Sequence, residues 1–178
     1  MSPNSKRADA VRNAAVLLEA ARELAAEVGG DLTLDQVARR AGVGNATLYR
    51  HFPTREDLLA AVYADEVTAL CDFGTEQLGA DDPVAALFAW LDAFVAHVAT
   101  KRPLALAATE GPDGRRGQRF ADWHAAINAT ATELVERARL RAGVSTSDVL
   151  TLACGAALAS DPEQARRLVG FLRTGLAD

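Results

Sequence analysis

Apolar residues in this chain recur three and four apart, segment after segment, and nowhere alternate over a useful length, which confines it to helices packed on helices. Val11, Ala14, Leu18, Ala21, Ala25 and Val28 trace one such stripe, read as the inner face of a long first helix that ends at Gly29-Gly30. Thr33-Leu34-Asp35-Gln36 has the spacing of a reciprocal cap, in which the Thr33 hydroxyl accepts from the Gln36 amide and the Gln36 side chain returns to Thr33. That cap predicts a short helix through Ala41 with Leu34, Val37, Ala38 and Ala41 inward, then a tight turn at Gly42-Val43. Another short helix opens near Gly44 or Asn45, points Leu48 and Phe52 inward and stops at Pro53.

Thr54 and Asp57 then cap a helix that runs from Arg55 to about Thr75, where Gly74 and Gly79 weaken it. Asp82-Pro83 starts the next, with Val84, Leu87, Leu91, Phe94, Val95 and Val98 in period until Pro103 breaks the pattern. After a turn-rich loop from Gly111 to Gly117, the residues Phe120, Trp123, Ile127, Leu134 and Ala138 mark a long helix closed by Gly143. Ser145 and Asp161-Pro162 start two more. The fold class expected is all-α, with a three-helix helix-turn-helix domain over residues 1–53 and a helical regulatory and dimerisation domain over residues 54–178.

The chain's 178 residues, 49% hydrophobic, suffice for one sizeable core or a small module docked on a larger one. Cys71 and Cys154 lack the close spacing of a metal knuckle or a redox pair and read as small buried hydrophobes, so no metal or cofactor is expected. The N-terminus has no apolar run behind its positive charges, and no segment approaches the roughly 18 uninterrupted apolar residues of a membrane span. A soluble, unprocessed, cytoplasmic protein without a membrane partner is the expectation. The net charge of −5 lies wholly beyond residue 60, because the first sixty residues balance eight Lys+Arg against eight Asp+Glu. Within that neutral part Lys6-Arg7 and Arg39-Arg40, with Arg12, Arg50 and Arg55, leave room for a basic face.

Two short helices joined by Ala41-Gly42-Val43 are what a helix-turn-helix requires: one braces while the other enters the major groove. The outward residues of the second helix, Asn45, Thr47, Tyr49, Arg50 and His51, are poor for burial but can reach base edges and phosphate oxygens. The stretch LTLDQVARRAGVGNATLYRHFPTREDLLAAV resembles the DNA-binding signature of the TetR family of bacterial regulators. The resemblance covers about the first third of the chain. It implies that Thr33 at its helix start, Tyr49, His51 and Arg55 grip phosphates, and that Asn45, Ala46, Thr47 and Arg50 face bases. Arg50 suits guanine and Asn45 suits adenine. Gly44 stands where the family often has a capping Ser or Thr, and Asn45 where Lys is frequent, so modest non-specific affinity is expected.

In the second module Phe88, Trp90, Phe94, His97, Phe120, Trp123, His124 and Ile127 concentrate aromatic, imidazole and apolar groups at helical spacing. Most suit packing, and a subset would line a site for a small, mostly apolar effector anchored by His97, Glu110, His124 or Asn128. The last two helices, Ser145 to Leu176, carry small residues, with Leu168, Val169, Leu172 and Leu176 read as the surface of a two-fold homodimer. The resulting expectation is a regulator released from a palindromic operator by a small molecule; family habit makes it a repressor, and the residues would serve an activator equally. Two rivals stand beside it. One is a helical adaptor that has lost DNA binding; the other is an enzyme using His97, Glu110 and His124, for which no nucleophile, metal or phosphate motif speaks.

Overall fold

The computed structural model describes residues 3–28, 31–108 and 116–177, and every regular element among them is helical. In chain order these are α1 (Pro3–Val28), α2 (Leu34–Ala41), α3 (Asn45–His51), α4 (Arg55–Gln77), α5 (Pro83–Ala108), α6 (Arg116–Ala138), α7 (Thr146–Ala156) and α8 (Pro162–Leu176). The described residues divide into two compact units, one within Met1–Asp65 and Pro103–Gly117, the other within Glu66–Arg102 and Gln118–Asp178. Helices α4 and α5 therefore each contribute to both.

In the first unit α1 packs on α2 and α3, and α2 on α3. The buried seam of α1 is Leu17, Ala20, Ala21 and Leu24, while Ala14, Leu18 and Ala25 flank it and Val11 and Val28 are exposed. The face is thus rotated from the expected stripe. The helix is rich in alanine, adjoining stripes differ little in apolarity, and the helices packed against it decide between them. The local signals of α2 and α3 hold. Thr33 and Gln36 form the reciprocal cap, and Gly42 closes α2 at φ +65°, where a side chain would be strained. Val37, Ala38, Leu48 and Phe52 are buried. The start of α4 is fastened to this unit by Arg55 Nε donating to the Leu32 carbonyl at 2.9 Å and by Arg22 on Asp65 at 2.7 Å.

The core of the second unit centres on Trp90, fully buried, whose Nε1 donates to the Leu70 carbonyl at 3.0 Å and whose ring stacks on Phe94 with centroids 5.5 Å apart. Gly74 does not weaken α4, which continues to Gln77. Its absent side chain is what lets neighbours approach: a Cβ there would lie 2.2 Å from Thr130 Cγ2 and 2.9 Å from Trp90 Nε1. Gly74→Ala is accordingly expected to destabilise the fold by about 1–2 kcal/mol, although alanine is the better helix former. Thr130→Ser, which deletes the closer clash and keeps the hydroxyl, should restore part of the loss in chemical denaturation, the rest remaining with the Trp90 ring.

Pro103 does not end α5, which continues to Ala108. Proline removes one intrahelical donor, a local loss that a helix of 26 residues with its other backbone bonds intact can carry. Part of α5, Pro83–Thr100, is long and apolar enough to cross a membrane by length and composition, contrary to the sequence expectation. Ala86, Leu87, Phe88, Trp90, Leu91, Phe94 and Val95 of that stretch are buried within the unit, which accounts for its apolarity as that of a core helix. Helix α6 closes at Ala138 rather than Gly143, because Arg139 already takes the left-handed conformation at φ +49°. The turn that follows is tied to the end of α8 by the Arg141 amide on the Leu176 carbonyl at 3.0 Å.

Helices α7 and α8 pack together, each with an N-terminal cap: Ser145 with Asp148, and Asp161 on the Gln164 amide at 2.8 Å ahead of Pro162. Hydrogen bonds from Ser145 and from the Gln164 amide hold the Asp148 and Asp161 carboxyls below their usual range. Of the leucines and valine expected to face a partner, Val169 is buried in its own chain and Leu168, Leu172 and Leu176 are half-buried. The outward apolar residues are instead Leu152, Leu158 at 72% and Phe171 at 69% exposure. Cys71 is half-buried and Cys154 exposed, so neither is the buried hydrophobe expected. Partial desolvation of its sulfur still pushes the Cys154 thiol up, away from thiolate reactivity.

Candidate nucleic-acid interface

Helix α3 is seven residues long and presents two unlike faces. Leu48 is fully buried and Phe52 follows it into the core, which fixes the helix rotation. Asn45, Ala46, Tyr49 and Arg50 are then exposed, and Thr47 and His51 half-buried. His51 lies beside Phe52 with ring centroids 6.3 Å apart. Gly44 precedes the helix with no side-chain cap, so only its carbonyl serves the first turn, accepting from Thr47 at 2.8 Å. Arg50 makes no ion pair among the described residues, so its guanidinium is available to an acceptor from outside.

Three expected contact residues are already engaged. The Thr33 hydroxyl accepts from the Gln36 amide at 3.3 Å and donates to Gln36 Oε1 at 3.0 Å, leaving the first backbone amides of α2 as its outward donors. Arg55 spends Nε on Leu32, and its side chain is about one-third exposed. Asn45 Nδ2 donates to Asp35 Oδ1 at 3.0 Å, linking α3 to the first turn of α2. No sequence signal marked Asp35 beyond its place inside the cap motif, since the partner lies ten residues away on another helix.

The basic face is narrower than the sequence suggested. Arg40 reaches back to α1, pairing with Glu27 through both terminal nitrogens at 2.9 and 3.0 Å and with Glu23 at 3.2 Å. Arg39 is exposed, with no carboxylate partner among the described residues. The hydrogen bonds that Arg40 donates to Glu27 hold the Glu27 carboxyl low and raise Arg40 in turn. A depressed carboxylate stabilises the fold above its unfolded range and loses that contribution as pH falls through its folded value, so acid loosens α1 from α2. Arg40→Ala is expected to lower stability at neutral pH while leaving the salt dependence of DNA binding unchanged. Had Arg40 held a phosphate, the slope of log K against log salt would drop by about 0.9 per subunit.

In the second unit Phe88, Trp90, Phe94, His97 and Ile127 are buried, Trp123 is half-buried, and His124 and Asn128 are exposed. The Arg173 guanidinium of α8 stands 6.0 Å from the centre of the Phe88 ring. Glu110 and the side chain of Phe120 lie outside the described residues. No three His, Cys, Asp or Glu gather in a metal-binding group among the described residues.

Comparison with known proteins gives matches in both parts of the chain. Residues 17–62 match the family model of bacterial regulatory proteins of the tetR family, and residues 82–178 match that of the C-terminal domain of SbtR-like transcriptional regulators. The crystal structure of a TetR transcription regulatory protein from Mycobacterium vanbaalenii is 34% identical, with a TM-score of 0.75 over 97% of this chain and 99% of that one. A TetR transcriptional regulator from Streptomyces coelicolor is also 34% identical, with a TM-score of 0.73 over 92% and 98%. FadR from Bacillus subtilis, solved with stearoyl-CoA, shares the fold at 14% identity, with a TM-score of 0.66 over 90% and 97%. No curated protein gives a significant match. With both units matched to regulator models, and relatives one-third identical over almost its full length, the chain is a DNA-binding transcription regulator, not an enzyme, and belongs to the TetR family.

Proposed function

We propose that the chain is a repressor that grips a near-palindromic operator as a two-fold dimer and leaves it when a small molecule binds the second module. Residues 1–53 form the DNA-reading module and 54–178 the effector-binding and dimerisation module. The observation that carries this reading is the outward face of α3, where Asn45, Ala46, Tyr49 and Arg50 stand exposed above a fully packed Leu48. In the bound state Tyr49, His51, Arg55 and the Thr33 helix start hold phosphates, while Asn45, Ala46, Thr47 and Arg50 meet base edges.

The dimer forms through Ser145 to Leu176. Exposed Leu152, Leu158 and Phe171 support it, as do Gly155, Gly170 and Gly175, where an added Cβ would meet nothing within 4 Å. Such a surface suits close approach by the same helices of a second copy. Two-fold pairing sets the two α3 helices about one DNA turn apart, roughly 34 Å. The effector is mostly apolar, held among Phe88, Phe94 and Ile127 with His97 as a polar anchor. The stearoyl-CoA of the Bacillus subtilis protein is the precedent for such chemistry. It acts by favouring an arrangement whose α3 helices no longer fit successive grooves, with α4 carrying the change.

Mobility shifts of the purified dimer on the DNA upstream of its own gene, with and without fatty acyl and other apolar compounds, test the reading. A shifted band that a compound abolishes is expected. A dimer that ignores every duplex, or a monomer by sedimentation at working concentration, would overturn it.

A further inference from the structure

If α3 reads bases, what it reads depends on which way the Asn45 amide faces, and a carboxylate on a different helix decides that. Asn45 Nδ2 lies 3.0 Å from Asp35 Oδ1. An ionised carboxylate can only accept, so the amide nitrogen, and not the carbonyl, must face it. The usual ambiguity between the two ends of an amide is thereby removed by the chemistry of the neighbour. Turned the other way, Asn45 would set oxygen lone pairs against oxygen lone pairs.

One N–H is consumed by Asp35. The second N–H and the carbonyl oxygen remain, side by side on an exposed edge. Adenine presents their complement in the major groove, with N7 accepting and the N6 amino group donating. The cap of α2 does not use Asp35, being completed by Thr33 and Gln36 through their own atoms; what Asp35 gives α2 is a negative charge in its first turn, which stabilises the helix whatever DNA is bound. Close to a phosphate wall a carboxylate also repels DNA of any sequence, so its effect on affinity and its effect on selectivity run in opposite directions.

We infer that Asp35 is a specificity-determining positioning residue, which touches no base yet holds Asn45 in the orientation that selects adenine in each half-site. The inference rests on the reading of α3 as the DNA-reading helix. Selection from a duplex pool with randomised half-sites, using the full-length chain and its Asn45→Ala, Asp35→Ala and Asp35→Lys variants, tests it.

One position per half-site should show an adenine preference that Asn45→Ala abolishes. There Asp35→Ala should cut the preference about tenfold, within the range of one bidentate contact, without reducing the total DNA bound. Asp35→Lys, a good helix former that offers a donor instead of an acceptor, should turn the amide round and move the preference toward guanine, whose N7 and O6 only accept. Mere damage to α2 would weaken all sequences alike, and that result would overturn the inference. So would an adenine preference that Asn45→Ala removes but both Asp35 variants keep. If Asn45→Ala itself changes nothing, Asn45 reads no base, and the assignment of base contacts falls together with the inference.

Discussion

Replacing Trp90 by alanine is expected to cost about 3–5 kcal/mol of stability, a large share of the roughly 5–15 kcal/mol that holds a domain folded. The side chain is fully buried, stacked on Phe94 and pressed against Gly74 of α4, so neither helix can close over the space left behind without moving backbone. Its N–H on the Leu70 carbonyl adds a polar contact to the packing. Trp90→Phe should lose much less, because the ring stack survives and only the hydrogen bond and part of the volume go. Denaturant titration of the two variants checks the order. A Trp90→Ala protein as stable as the parent would mean that the indole lines open space rather than core, which would strengthen its candidacy as an effector contact.

Arg50→Ala is expected to lower operator affinity about 10- to 100-fold per half-site and to flatten the preference for guanine at one position, as the loss of a bidentate base contact does. The expectation follows from placement. Leu48 and Phe52 anchor α3 from beneath, so Arg50 is held outward by the packing of its neighbours, with no carboxylate among the described residues to detain it. Arg40, of the same residue type and ten positions earlier, should behave oppositely because Glu23 and Glu27 already claim it. Fluorescence anisotropy at several salt concentrations separates the two. A comparable drop in affinity for both would place Arg40 on the phosphates and its pairing with α1 as dispensable.

The contrast between these arginines marks how far the sequence reached. Thr33 with Gln36, Gly42, and Leu48 with Phe52 act over one helical turn, so their spacing alone set the caps, the turn and the rotation of α3. The starts of α7 and α8 at Ser145 and Asp161 were legible for the same reason. Family membership was legible too, because the motif is itself a run of such local signals.

Contacts between residues distant in sequence were decided only when the helices packed. Which stripe of alanine-rich α1 is buried, whether Arg40 turns to DNA or to α1, and how Asp35 holds Asn45 have no counterpart in any local period. Gly74 reads as a helix breaker until Trp90 is seen filling the space beside it, and Pro103 as a stop until α5 is seen to run through it. Caps and turns are settled by backbone hydrogen bonds within a few residues, whereas side-chain partners and buried faces are settled by what another part of the chain brings alongside.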